Sequence, residues 1–440
     1  MSEAGGLGFM VRALRHRNYR LFFSGQTVSL VGTWMTRIAT SWLVYRLTGS
    51  ALLLGLVGFA GQIPSFLLAP FAGVLIDRWD RHRLLVITQI LAMVQSAALA
   101  ALTLAGVINI WHVLALSLFQ GLINAFDMPA RQSFVVEMVE RREDLPNAIA
   151  LNSSMVTAAR LLGPSIGGVI IAAVGEGWCF TFDAVSYLAV IASLLLMRLQ
   201  RRERRKVRES RVLHELRAGW RYVAGSPPIR SILLLLALVS LVGMPYTVLM
   251  PIFASTVLHG GPHTLGFLMA ATGVGALLGA LFLAHRRSVL GLGRVVPVMS
   301  GLFGAGLIGF SLSRSLWLSL ALLTVTGLGF MVQMAASNTL LQTLVEDDKR
   351  GRVMSFYTMA IMGVTPFGSL LAGGLAHRIG APRTLLFGGI GCILAALWFA
   401  TLLPRLRDKV RPIYIQKGIL PAMAAEGISA ATQLTVPPER

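Results

Sequence analysis

Apolar runs about as long as a bilayer is thick recur along this chain from residue 21 to residue 403. Each holds about 20 residues, and an α-helix of that length crosses a hydrocarbon core of roughly 30 Å. Read between polar breaks, the runs fall near 21–46, 51–76, 84–106, 111–136, 148–174, 178–198, 229–257, 263–284, 294–313, 316–344, 352–377 and 384–403. Charged residues make up only 13% of the 440 positions, against 55% hydrophobic. A soluble domain carries roughly 25% charge, so this chain has too little polar surface to face water all round. The expectation is an all-α membrane protein with twelve transmembrane helices.

The net charge of +20 would point to nucleic acid in a soluble chain. Here its distribution gives another reading. Of 39 Lys and Arg, 33 fall in the N-terminal arm, the tail and the loops on one predicted side. Four (Arg46, Arg314, Arg378, Arg383) fall on the other, and Arg37 and Arg160 lie within segments. Basic residues concentrate in cytoplasmic loops, so both termini are expected to be cytoplasmic and no nucleic-acid partner is expected. Arg12, Arg15, Arg17 and Arg20 precede the first apolar run, which is then expected to be retained as a signal anchor. Cys179 and Cys392 lie in different segments and imply no disulfide framework.

The domain reading follows these breaks. Residues 1–20 form a cytoplasmic amphipathic arm and 21–198 a first six-helix bundle. Residues 199–228 form a basic cytoplasmic loop, with Val212, Leu213, Leu216, Trp220 and Val223 at the spacing of an amphipathic helix lying on the membrane. Residues 229–404 form a second six-helix bundle, and 405–440 a cytoplasmic tail. The bundles repeat: VSLVG stands at 28–32 and again at 239–243, an offset of 211 that also brings Gly55 onto Gly266. Later the offset becomes 206, bringing Gly121 onto Gly327 and Gly167 and Gly168 onto Gly373 and Gly374. Six plus six helices in parallel repeat is the arrangement of transporters that rock two halves about a central site.

Polar stripes mark where such a site would lie. Segment 4 carries Ser117, Gln120, Asn124, Asp127 and Arg131 at steps of 3, 4, 3 and 4, and segment 1 carries Gln26, Ser29, Thr33, Arg37 and Thr40. Segment 10 offers Thr326, Gln333 and Ser337, and segment 7 offers Ser240 and Thr247. A helix facing lipid on all sides needs no stripe, whereas one lining a watery path does. The cavity candidates are Gln26, Thr33, Trp34, Arg37, Gln120, Asn124, Tyr246, Gln333 and Ser337. Helix–helix hydrogen bonding, at about 0.6 kcal/mol per contact, is the simpler account of isolated Ser and Thr. Arg37 and Arg160 each cost at least about 2.5–3.5 kcal/mol at mid-membrane, so each needs a partner or a substrate. An Arg37–Asp183 pair is one solution. If Arg37 faces the cavity instead, an anionic or phenolic substrate is favoured. Asp127 and Asp183, the acids within the segments, are the candidate proton sites.

Residues 73–83, GVLIDRWDRHR, resemble the signature loop between helices 2 and 3 of the major facilitator superfamily, with Asp80 where many members have a second glycine. RLLGPSIGG at 160–168 resembles the Gly-Pro signature of its antiporters, through Arg160, Gly163, Pro164, Gly167 and Gly168. The stretch 14–50 and NAFDMPARQSFVVEMV at 124–139 are similar to the exporter branch that contains the enterobactin exporter and macrolide efflux proteins. The resemblance covers roughly residues 14–404 and implies the major facilitator fold. It also implies a gate and conformational latch built from Gly73, Asp77, Arg78, Arg81, Arg83, Asp127 and Arg131. Asp77 would meet the N-terminal end of helix 11, gaining roughly 0.3–1 kcal/mol from its dipole, and Arg81 would reach Asp127. The glycines of the helix-5 motif, with Gly273, Gly275 and Gly279 on helix 8, are expected to let the halves approach closely, and Pro164 to bend helix 5. Two positions depart from proton-coupled relatives: Ser117 replaces an arginine, and Arg37 an acid found in some members.

These readings imply an exporter of a small amphiphilic organic molecule, siderophore- or drug-like, across the cell inner membrane by alternating access in exchange for protons, working as a monomer. A lysophospholipid flippase is the nearest rival and would need a side opening to lipid. A membrane-embedded enzyme is disfavoured because the eight histidines are scattered over loops and helix ends. No cofactor or metal is expected, and no lysine ends a glycine-rich phosphate loop.

Overall fold

The protein is described by a computed structural model covering residues 12–68, 76, 79–139, 141–198, 212–286 and 288–420. Gly73, Asp77 and Arg78 of the expected gate loop lie outside the described residues. Among the described residues there is no strand. The long helices are α1 (Arg17–Thr48), α2 (Ala51–Leu68), α3 (Arg81–Leu104), α4 (Ile110–Met138), α5 (Leu145–Val174), α6 (Glu176–Leu195), α7 (Pro227–Val257), α8 (Pro262–Ala284), α9 (Leu292–Leu312), α10 (Leu316–Leu344), α11 (Arg350–Ile379) and α12 (Ala381–Gln416). Helices α2 to α12 are each long and apolar enough to cross a membrane. With 32 residues α1 is also long enough, but Arg17, Arg20, Arg37 and Arg46 lower its apolar character.

Local chemistry sets the helix ends. Gly49, at φ 59°, ends α1 in a left-handed turn, and the Ser50 hydroxyl accepts from Leu53 N at 3.3 Å to start α2. Asp80 caps α3 by accepting from Arg83 N at 3.1 Å. Asn109 caps α4 in the same way through His112 N. At the other end of the chain, α12 continues through Pro404 and Pro412 to Gln416, beyond the sequence boundary at 404. Lys417 Nζ then donates to Val345 O at 3.1 Å, tying the end of α12 to the end of α10.

In the first half, α1 packs on α5 and α6, and α3 on α4 and α6. In the second, α10 packs on α8 and α9, and α12 on α7 and α9. The halves join through α2 against α11 and α5 against α8. These contacts are tightest at the end of the bundle away from the termini, here called distal. A Cβ on Gly373 would lie 2.7 Å from Ala51 O and 2.8 Å from Gly55 Cα, and one on Gly168 would lie 2.7 Å from Pro262 O and 2.9 Å from Gly266 Cα. Tyr45 on α1 and Thr256 on α7 also share a 2.6 Å hydroxyl bond there.

The two seals correct the repeat register. Ala51 and Gly55 correspond to Pro262 and Gly266, both at an offset of 211, so Gly168 must correspond to Gly373, an offset of 205. The offset of 206 read from the sequence places Gly168 on Gly374 instead, one residue out of register. The offset of 206 does hold at α4 and α10, where Gly121 abuts Gly61 O and Gly327 abuts Thr272 O.

Two helices at the interface are interrupted. The first breaks at Gly243–Pro245 within α7 and widens into a π turn at Phe253–Val257, and α11 has a π turn at Met359–Gly363 just before Pro366. In α11, Pro366 lacks its N–H and clashes one turn back at Met362, which the widening there relieves. The helix Val212–Gly225 lies against the start of α11, with Gly219 opposite Phe356, Trp220 6.1 Å from the Phe356 ring and Val223 buried.

Candidate functional site

The glycines of the helix-5 motif divide their work. A Cβ on Gly163 would lie 2.5 Å from Trp34 Cβ, so its absence lets Trp34 lean onto α5. Gly167 likewise seats Met35 and Ile38 of α1, while Gly168 meets Gly266 of α8. From α8, Gly273 faces Leu161 of α5 as expected across the halves. Gly275 and Gly279 depart from that expectation and seat α10, next to Thr324 and Leu328.

Trp34 therefore has two cations close to its ring. The Arg37 guanidinium lies 4.6 Å from the Trp34 ring centre and that of Arg160 lies 5.7 Å away. Arg37 is solvent-accessible although it sits 20 residues into α1. No ion pair joins either arginine to a carboxylate among the described residues. Tyr246 of α7 approaches within electrostatic range of Arg160 from the other half and packs edge-on to Phe303 at 6.2 Å.

The Arg37–Asp183 pair is not formed. Asp183 points between α1, α3 and α6, where Oδ2 accepts from Ser96 Oγ at 2.7 Å and Oδ1 lies where a Gly32 Cβ would otherwise be. It is 1% exposed beside the Thr36 hydroxyl, and among the described residues Oδ1 has no well-aligned hydrogen-bond partner. Nearby, Tyr187 Oη lies 3.5 Å from Thr33 Oγ1.

The Arg81–Asp127 pair is not formed either. Asp127 is buried and pairs with Arg131 one turn along α4, while Thr88 and Gln89 of α3 donate to Oδ1 at 2.9 and 2.6 Å. Arg81 binds Glu137 at 2.7 Å. Depth explains the exchange: Arg81 opens α3, and Asp127 lies level with Thr88, seven residues or about 10 Å further in. Arg83 remains exposed, 3.9 Å from Asp80.

The remaining cavity candidates separate. Gln120 and Asn124 are partly accessible and bond each other at 3.2 Å, and Thr33 is partly accessible too. Gln26, Tyr246, Gln333 and Ser337 are buried rather than lining an open wall. Gln333 and Ser337 share a face of α10 with Thr326 and Phe330, which meet Gly306 and Phe303 of α9, so that face is turned onto α9. Sequence inspection passed over α3, whose Thr88, Gln89, Gln95 and Ser96 recur at i, i+1, i+7 and i+8 and are all buried. That spacing is a single helical face, and it holds both membrane acids.

Comparison with known proteins places this geometry. Residues 10–412 match the family described as transmembrane secretion effector. The chain is 27% identical to the staphyloferrin A transporter of Staphylococcus aureus over 392 residues, covering 89% of this chain and 98% of that one. It is 28% identical to the multidrug efflux pump Tap of Mycolicibacterium fortuitum over 388 residues, covering 86% and 93%. Macrolide efflux protein A of Streptococcus pyogenes is 21% identical over 396 residues, covering 87% and 96%. Among solved structures, a bacterial homologue of the human lysosomal transporter Spinster, inward-facing and unoccupied, superposes with a TM-score of 0.66 at 15% identity over 92% of this chain and 99% of that one. A nucleoside transporter superposes with a TM-score of 0.69 at 12% identity, covering 88% and 99%. The match over nearly the whole length, on a bundle of two repeated six-helix halves, makes this chain a multi-pass membrane transporter of the transmembrane secretion effector family, in the major facilitator superfamily.

Proposed function

We propose that this transporter exports an anionic, amphiphilic organic molecule across the cell's inner membrane by alternating access, with protons moving inward in exchange. The observation that carries the reading is the pair of guanidinium groups around Trp34, deep in the bundle and without a carboxylate partner among the described residues. Two such charges at mid-membrane are costly alone. A substrate carboxylate or phenolate would neutralise them through charge-assisted, bidentate bonds, while Trp34 offers an apolar face. Curated relatives named for efflux and for staphyloferrin A support export of organic compounds.

The distal glycine seals support a state that opens on the side of the termini, which the asymmetry of basic residues makes cytoplasmic. Rocking of the halves would break these seals and bend α7 and α11 at their interruptions. Asp183 is the proton carrier in this reading. Asp127 is held by a cation and two donors, whereas one oxygen of Asp183 has no well-aligned partner among the described residues.

The test uses purified protein in sealed liposomes under an imposed pH gradient. Gradient-dependent movement of a catecholate siderophore, in preference to a cationic macrolide, is the expected result. If neither moves while fluorescent lysophospholipid analogues cross leaflets, a flippase takes the exporter's place.

A further inference from the structure

A cleft of about 780 Å³ lies between α7 and α12 on the side of the termini, apart from the central site. That volume falls within the range of small-ligand pockets, roughly 300–1,000 Å³. Leu234, Trp398 and Leu402 form its apolar wall, and Arg230, Arg405 and Lys409 its cationic rim. The order of these residues fixes its polarity. Trp398 precedes Arg405 by two turns of α12, about 10 Å, and Arg230 precedes Leu234 by one turn of the antiparallel α7. On both helices the cations therefore face the terminus side and the apolar residues the membrane interior.

Depth agrees. Measured from the distal start of α12 at Ala381, a core of about 30 Å ends near residue 401, leaving Arg405 and Lys409 at headgroup level. Trp398 sits just inside, where tryptophans of membrane proteins collect. Among the described residues no ion pair satisfies these cations. Arg230 donates to Ala224 O at 3.3 Å, and Arg405 and Lys409 make no pair with Asp408, the one acid on the wall.

We infer that this cleft binds the headgroup of an anionic phospholipid from the leaflet on the terminus side, with an acyl chain along Leu234, Trp398 and Leu402. A phosphodiester complements three cations against one acid, and the apolar wall continues into the membrane as an acyl chain requires. The ammonium of a zwitterionic lipid would meet the same cations unfavourably.

Native mass spectrometry of the full-length protein, released from micelles containing phosphatidylglycerol, phosphatidylcholine or inorganic phosphate, tests this. Phosphatidylglycerol should be retained in excess over phosphatidylcholine, with retention falling roughly fivefold for each cation removed in the series Arg405→Gln, then Lys409→Gln, then Arg230→Gln. A control variant carrying Arg221→Gln, Arg294→Gln and Arg407→Gln loses the same charge elsewhere and should retain lipid as wild type does. Trp398→Ala, which keeps every charge, should also weaken retention. The single Arg405→Gln variant decides the matter if the triple variant does not fold. Equal retention of the two lipids, equal loss in the control variant, or inorganic phosphate competing as well as the lipid would overturn the assignment.

Discussion

Arg37 and Arg160 lie 4.6 and 5.7 Å from the Trp34 ring centre and repel each other, and an anion bound by both would relieve that repulsion while ordering both side chains. Hydrogen bonds to charged groups contribute about 1.5–3 kcal/mol, equivalent to roughly 10–100-fold in affinity. Arg37→Gln or Arg160→Gln should therefore raise KM for an anionic substrate by roughly 10–100-fold, with a smaller effect on the maximal rate. Arg37→Lys should restore only part of the loss, because an ammonium lacks the planar fork that both stacks on an indole and grips a carboxylate. Initial rates in proteoliposomes would measure this, and an unchanged KM in both glutamine variants would remove the arginines from the binding site. The acids separate at the same scale. Asp183→Asn should abolish uptake driven by a pH gradient while leaving substrate exchange without a gradient intact. Asp127→Asn should impair both modes, since it leaves Arg131 without its partner. The opposite outcome would move proton carriage to Asp127.

Helix contacts decide which end of the bundle is shut. On α5, Gly168 has Pro262 O and Gly266 Cα in the space a side chain would fill, and backbone cannot yield as a flexible side chain can. Gly168→Val should force α5 from α8 at the distal end and shift the population toward a distally open state. A cysteine at Thr264, buried between Pro262 and Gly266 in the sealed form, would report it, because the native Cys179 and Cys392 are buried and away from this contact. Faster labelling by a membrane-impermeant thiol reagent is expected in the Gly168→Val background, and an unchanged rate would show that this contact is not the seal. Much of this level was legible in the sequence. Apolar length fixed the spans because a bilayer demands about 20 residues of helix, and the repeated glycines marked the contacts. What stayed hidden depended on depth and direction across helices. Arg81 was matched to Asp127 by likeness, but Thr88, two turns deeper on the same helix, is what stands opposite it. The extension of α12 past Pro404 was equally hidden, since proline and charge there read as a stop while the helix simply leaves the membrane.

For the whole molecule, the rocking proposed above would require each half to stay rigid where no partner half braces it. At the terminus side the first half has a built staple for this. Asp144, at the start of α5, pairs with Arg12 and accepts from His16 Nε2 at 2.8 Å, while Asn147 Oδ1 accepts from Ala13 N at 2.9 Å and Tyr19 donates to Ala148 O at 2.8 Å. The arm before α1 is thereby fixed to the turn between α4 and α5. The hydrogen bond from His16, with the nearby charges of Arg12, His16 and Arg141, holds the Asp144 carboxyl below its ordinary value of 3.8. A carboxyl with a depressed folded value binds fewer protons folded than unfolded around that pH. Its contribution is therefore complete above the unfolded value and disappears as pH falls through the folded one. Asp144→Asn should lower Tm at about pH 5 and above, and the gap from wild type should close under acid as the wild-type carboxyl takes up its proton. His16→Gln, which keeps a donor at that position, should lower Tm less than Asp144→Asn does. Melting in detergent across this range measures both. A gap that survives at the acid end would mean that Asp144 acts by packing instead of charge, and the rigidity of this corner would then rest on Tyr19 and Asn147.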